Sequence, residues 1–236
     1  MDQQLPVMVI TGTSKGIGKG LAEHFLEHGY RVAGCSRGPS TIEHANYLHG
    51  QVDVTDEKQV QGWTRQLRTQ MEQVDVLVCS VGLVKSALFM AVTSGAVFEE
   101  FLKTNIAATF YVCREISKLM LMKRKGRIVN VASIMAAIHE PGTSAYSSTK
   151  AAVIELTRVM ARELAPQGIT CNVVSPCMVE TEASRSLGEE WQKRMLEMQA
   201  IKRPATIAEI ANVISFFAHP DSGCITGQVV NMALVA

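Results

Sequence analysis

The sequence predicts an α/β protein built on a doubly wound parallel sheet, with about seven strands and helices on both faces. Two observations predict it. Short β-rich runs alternate with longer helical patterns from one end of the 236 residues to the other, the order that places crossover helices between parallel strands. Most of those runs are continuously apolar rather than alternating, as strands covered on both faces are.

The strands fall in order at 6–11 (PVMVIT), 30–35 (YRVAGC), 50–54 (GQVDV), 74–79 (VDVLVC), 127–132 (RIVNVA), 169–174 (ITCNVV) and 227–232 (GQVVNM). Between the third and fourth, Val60, Trp63, Leu67 and Met71 recur at three- and four-residue steps and mark the buried stripe of a helix. The stretch 179–205 is polar, carries no strand pattern and is expected to form a mobile flap over the sheet edge. No repeat, low-complexity tract or linker interrupts the pattern, so residues 1–236 are expected to form one domain.

Composition narrows the function. A net charge of +1 supplies no field that would favour nucleic acid or a membrane surface. No apolar run reaches the length of a membrane span, and the opening MDQQLPVMVITG has no basic leader. The six cysteines (Cys35, Cys79, Cys113, Cys171, Cys177, Cys224) show no metal-ligand spacing with the six histidines. They are expected to be free thiols in a reducing compartment. The sequence therefore points to a cytoplasmic protein without a metal.

The first strand runs into TGTSKGIGKG, with glycines at Gly12, Gly16 and Gly18. Glycines between a strand and a helix allow a tight turn and let a pyrophosphate approach the free N–H groups of the helix N-terminus. In this context the loop, with Thr13, Ser14, Lys15 and Ile17 completing it, reads as the dinucleotide cradle of a Rossmann fold. The end of the second strand reports on the ribose. It reads GCSRG, offering Ser36 and Arg37 and no carboxylate. Two cations, Arg37 and Lys15, without an acid suit a 2′-phosphate, so the expected coenzyme is NADPH/NADP+. Asp53 and Val54 end the third strand, where the aspartate can meet the adenine amino group.

AYSSTK, residues 145–150, sets Tyr146 and Lys150 one helical turn apart. A free phenol has a pKa near 10. A cation about 4 Å away at an effective dielectric near 20 is worth on the order of 4 kcal/mol, enough to bring it toward neutrality. Tyr146 is thus the candidate acid that protonates a carbonyl oxygen, and Lys150 the group that tunes it and holds the ribose.

Together these motifs resemble the short-chain dehydrogenase/reductase family over essentially the whole chain: TGxxxGIG at Thr11–Gly18 and YxxxK at Tyr146–Lys150. The resemblance implies that Ser133 polarises the substrate carbonyl. It also implies that Asn105, in KTNIAATF, kinks a helix and anchors a relay water. SPCMVET (175–181) is similar to the family's SPGxxxT segment. On that match Pro176, the Val179 backbone and the Thr181 hydroxyl hold the carboxamide end of the coenzyme. CSVG (Cys79 to Gly82) stands where the family has NNAG, placing Ser80 and Gly82 against the coenzyme but losing an asparagine that braces the sheet. Cys177 replaces a glycine and can approach the nicotinamide.

Within the family the chain is most similar to β-ketoacyl-[acyl-carrier-protein] reductases. That implies a 3-oxoacyl thioester substrate, free or carrier-bound, in fatty-acid or polyketide-like synthesis. It also implies a homo-oligomer, tetramer or dimer, paired through helices near 95–123 and 146–165. Arg124, in a basic run ending the helix before Ser133, matches a carrier-docking arginine, although the second such position is Gln167. Met135, Met178, Met195 and Met198 border the expected pocket or fill the core, and His139 and Glu140 either touch substrate or form a solvated loop. Reduction of a free small ketone or alcohol, and a non-catalytic NADPH-binding regulator, are the alternatives.

Overall fold

The computed structural model describes residues 5–85 and 88–235. Seven strands form one sheet: β1 Val7–Thr11, β2 Arg31–Ser36, β3 Tyr47–Gln51, β4 Val76–Cys79, β5 Gly126–Val131, β6 Ile169–Ser175 and β7 Val229–Asn231. All pairs are parallel, in the order β3-β2-β1-β4-β5-β6-β7. The chain runs outward from β1 through β2 and β3, then returns to β4 on the other side of β1. This reversal opens a crevice at the carboxyl ends of β1 and β4, where open α/β sheets bind ligands.

Successive side chains of a strand enter opposite layers. Met8 and Ile10 pack with Leu21 and Phe25 of α1 (Gly16–Glu27) and Ile210, Ile214 and Phe217 of α9 (Ile207–Ala218). Val7 and Val9 enter the other layer, with Trp63 and Leu67 of α2 (Glu57–Gln70) and Val112 and Ile116 of α4 (Ala108–Lys123). The predicted stripe of α2 is buried, from Val60 through Leu67 to Met71 just beyond the helix. Because both faces are covered, β1 and β4 are apolar at nearly every position. Among the described residues no helix is long and apolar enough to cross a membrane.

The third strand is placed differently from the sequence expectation. It spans Tyr47–Gln51 rather than 50–54. Val52 and Val54 are buried, which gave them a strand-like signature, but they enter the core from the loop after β3. Tyr47 and His49, the polar members of the true strand, carry no apolar signal. The stretch 179–205 also departs from a simple flap. It holds α7 (Glu182–Arg185) and α8 (Glu189–Met198), and Val179 bridges to Ala205.

Gly50 shows how closely β3 and α2 approach. A methyl group there would lie 2.4 Å from Nε1 of Trp63, a rigid ring already buried in the core. Gly50→Ala is expected to overpack this contact and destabilise the protein by about 1–3 kcal/mol. Urea denaturation should show a lower midpoint with an unchanged slope.

Candidate active site

The crevice holds two adjoining spaces. One is a polar cleft of about 480 Å³ at the β1–β4 switch point. Its floor is the glycine loop, where Gly12 takes a left-handed φ of 79° and a methyl on Gly18 would lie 2.4 Å from the Gly12 carbonyl oxygen. Only glycine permits that contact, and it leaves the backbone open to an approaching phosphate. Ser14, Lys15, Ser36, Arg37, Asp53 and Val54 line the cleft as expected, together with Ser80 and Gly82. Among the described residues the buried Ser80 hydroxyl has no hydrogen-bond partner. The cradle, the buried Ser80 hydroxyl and the cations Lys15, Arg37 and Lys103 in its lining fit a dinucleotide phosphate.

Several expected cofactor residues lie outside this cleft, among them Thr13, Ile17, Pro176, Val179 and Thr181. The Thr13 hydroxyl turns under the loop to the Tyr47 hydroxyl (2.7 Å). Ile17 and Thr181 line the neighbouring space, and Thr181 caps α7 by accepting from Ser184 N (3.1 Å). Thr181 still touches the cradle, since a methyl on Gly16 would lie 3.7 Å from its Cγ2. Asp53 accepts from the Thr55 amide and hydroxyl (2.9 and 2.8 Å). Lys15 pairs with Glu182 of α7 (3.1 Å), both largely exposed, and such a pair contributes little on its own.

The second space is mostly apolar. Phe101, Met135, Cys177, Met178, Trp191 and Met195 wall it, and Ser133, Tyr146, Pro176 and Val179 complete its lining. Three of the four methionines singled out from the sequence thus serve pocket and core together. From this region α7 contributes Ala183 and Ser184, the link between the helices Leu187, and α8 Trp191 and Met195; no sequence motif marks Leu187 or Trp191. Glu140 pairs with Arg194 of α8 (2.5 Å), so this region is tied to the loop preceding Tyr146 rather than lying over the sheet edge. Cys177 is buried, and burial pushes its thiol up.

Tyr146 and Lys150 lie on α6 (Ser144–Leu164). The geometry of the pair differs from the sequence expectation. The Lys150 ammonium is buried, donates to the Val131 carbonyl (2.9 Å) and lies 5.9 Å from the centre of the Tyr146 ring. Burial lowers its pKa to about 8. Burial likewise raises the Tyr146 phenol above its ordinary value, and a hydrogen bond with Ser133 works in the opposite direction. The cation does not pull the phenol toward neutrality here. The phenol therefore keeps its proton at neutral pH, as a proton donor must.

Asn105 occupies a π-helical stretch, Leu102–Ala107, between α3 (Gly95–Phe101) and α4, the kink expected of it. Its Oδ1 accepts from Leu83 N (2.7 Å), and its Nδ2 donates to Leu83 O (3.3 Å) and Thr149 Oγ1 (3.0 Å). It clamps the loop after β4 to the helix bearing Tyr146 and Lys150. In place of the asparagine lost from CSVG, Cys79 Sγ contacts Cys113 Sγ (3.6 Å). Cys113 in turn donates to Asn130 Oδ1 (3.3 Å).

Arg124 is not beside this site. It caps α4 and donates to the Pro166 carbonyl (3.3 Å), at the end of β5 opposite Ser133, about 20 Å away along the strand. Closeness in sequence misled because a whole strand separates the two. Lys103 and Thr104, which line the cleft beside Asn105, were missed because no spacing rule singles them out.

With this geometry in view, the comparisons with known proteins agree. The family model described as enoyl-(acyl carrier protein) reductase matches residues 12–233. The chain belongs to that family, within the short-chain dehydrogenases/reductases, and is an oxidoreductase. It is 30% identical to the 3-oxoacyl-[acyl-carrier-protein] reductase FabG of Vibrio cholerae serotype O1, over 98% of this chain and 97% of that protein. A solved structure of ElxO with NADP bound superposes with a TM-score of 0.90 at 31% identity, covering 97% of each chain. The ligand-free aldohexose dehydrogenase of Thermoplasma acidophilum gives 0.88 at 26% identity, covering 97% of this chain and 92% of that one.

The buried lysine has a consequence for stability. Below pH 8 the folded chain holds Lys150 charged at a cost. Between pH 8 and the ordinary lysine value of 10.5, it has released a proton that the unfolded chain still binds. Stability should therefore rise with pH across this window, by up to about 1.4 kcal/mol per pH unit, relative to Lys150→Met, which lacks the slope. Urea denaturation of both proteins at pH 7.5, 8.5 and 9.5 checks this.

Proposed function

We propose that this protein is an NADPH-dependent ketoreductase that converts a 3-oxoacyl thioester to the 3-hydroxyacyl form. One observation carries the proposal: two hydrogen-bonded hydroxyls, on Ser133 and Tyr146, face an apolar pocket beside the cleft that holds the glycine loop. The reduced nicotinamide, when bound, supplies the hydride. Ser133 orients the ketone oxygen by hydrogen bonding, and Tyr146 gives its phenolic proton to that oxygen as the alcohol forms. Lys150, charged at neutral pH, holds the coenzyme's ribose and replaces the lost phenolic proton through solvent. Apolar walls keep water from the reacting carbon.

The family's description names enoyl reduction, in which the final proton goes to carbon. Two converging O–H donors favour a carbonyl oxygen instead. An aldohexose would bury many hydroxyls against Phe101, Trp191 and the methionines with few polar partners, so the pocket favours an acyl chain over a sugar. The name of the Vibrio relative supports a carrier-linked substrate. Phe110 and Met122 on α4 and Val159 on α6 are exposed apolar residues, which supports pairing of these helices between subunits of a cytoplasmic homo-oligomer.

Two outcomes are expected. With NADPH, the protein should reduce 3-oxoacyl thioesters at least tenfold more efficiently, by kcat/KM, than aldohexoses or enoyl thioesters. Tyr146→Phe should lose roughly 10²-fold or more of kcat with NADPH binding retained. Preferential turnover of an enoyl thioester, or an active Phe variant, would replace this reading. On the coenzyme side, Arg37→Asp should raise KM for NADPH by about tenfold or more, the loss of a charge-assisted contact, and narrow the preference over NADH. Steady-state kinetics with both coenzymes measure it.

A further inference from the structure

We propose that His49 and Gln51 of β3 are positioning residues for the coenzyme's 2′-phosphate, because they fix the loop that presents Arg37. The inference rests on the NADPH reading above and adds residues to which no motif points.

The Ser36–Gly38 loop leaves β2 with Arg37 exposed. Among the described residues no carboxylate forms a salt bridge with its guanidinium. The loop backbone, by contrast, is fastened at successive carbonyls. Val52 N donates to Ser36 O (2.8 Å), Gln51 Nε2 to Arg37 O (3.0 Å), and His49 Nε2 lies 2.9 Å from Gly38 O. The Ser36 hydroxyl donates to the same Gly38 carbonyl (3.1 Å).

A carbonyl only accepts, so His49 must carry hydrogen on Nε2. In the neutral ring Nδ1 is then an acceptor, and the Tyr47 hydroxyl, 3.1 Å away, is its donor. Tyr47 in turn accepts from the Thr13 hydroxyl at 2.7 Å, a shorter contact than the 3.4 Å from Thr13 to the Cys35 carbonyl. One directed chain of hydrogen bonds thus runs from the glycine loop through Tyr47 and His49 to the Arg37 loop. It joins the pyrophosphate cradle to the 2′-phosphate site. Gly34 makes it possible, because a methyl there would lie 2.3 Å from the Tyr47 hydroxyl and 2.6 Å from the Thr13 hydroxyl. A pinned loop loses less freedom when its arginine closes on an anion, and that pre-organisation appears as affinity.

Only the 2′-phosphate separates NADP+ from NAD+, so the test is a comparison of the two dissociation constants by isothermal titration calorimetry. In the unmodified protein NADP+ should bind the more tightly; equal binding would overturn the coenzyme reading and this inference with it. His49→Phe and Gln51→Ala should each weaken NADP+ about three- to tenfold, the worth of one hydrogen bond, and leave NAD+ within twofold. His49→Gln, whose amide can still donate to Gly38 O, should recover most of the loss. Gln51 is exposed, so its variant keeps the test valid if the His49 variants fold poorly. Equal weakening of both coenzymes, or of neither, would overturn the proposal and leave these bonds as edge-strand structure only.

Discussion

The site is organised around one buried cation. Lys150 carries its ammonium into the protein where α6 passes the end of β5, and desolvation there disfavours its charge by on the order of 3 kcal/mol. The Val131 carbonyl offsets part of that cost. The surroundings follow from making room for it. Gly82 lacks a side chain because a methyl would lie 3.1 Å from the ammonium, and Asn105 binds the Gly82–Leu83 turn to Thr149, next to Lys150 on α6. The loop after β4, the π-helical stretch and the helix bearing Tyr146 and Lys150 are therefore one mechanical unit. A charge held at such cost is more readily explained by chemistry than by stability.

Tyr146 stands at the boundary of two environments with opposite demands. On one side the glycine cradle and its cations suit an anionic dinucleotide; on the other, aromatic and thioether side chains suit an apolar chain. The α7–α8 region spans both, tied to the cradle by Glu182–Lys15 and to the loop before Tyr146 by Arg194–Glu140. These ties join parts of the chain far apart in sequence, so occupancy of the two spaces has a physical route of communication.

The departures from family pattern are absorbed locally. Where CSVG gives up an asparagine, two apolar-buried thiols and Asn130, itself donating to Thr157 (2.8 Å), fill the layer between β4, α4 and β5. The Cys113 contact pushes the Cys79 thiol well up, with burial adding to it, and both sulfurs are buried, so these cysteines serve as packing rather than as nucleophiles. Cys177 likewise becomes part of the pocket wall.

The sequence alone determined the parallel α/β architecture, because strands covered on both faces must be continuously apolar. It also made the glycine loop and the candidate set Ser133, Tyr146, Lys150 and Asn105 legible, because such motifs place particular residues at fixed local spacing. Periodicity found the buried stripe of α2 from Val60 to Leu67, with Met71 just beyond the helix end. It misplaced β3, since Val52 and Val54 are buried from a loop and burial, not strand geometry, is what apolarity reports. Tertiary structure alone decided the state of the Tyr–Lys pair. A spacing of four residues places both on one helix face, but depth and the Val131 carbonyl set the ammonium's distance from the ring and the direction of both pKa values. It also separated Arg124 from the pocket by the length of a strand and brought His49 and Gln51 to the Arg37 loop. Those relations depend on which strands lie side by side and which end of each faces the crevice, and local sequence carries no record of either.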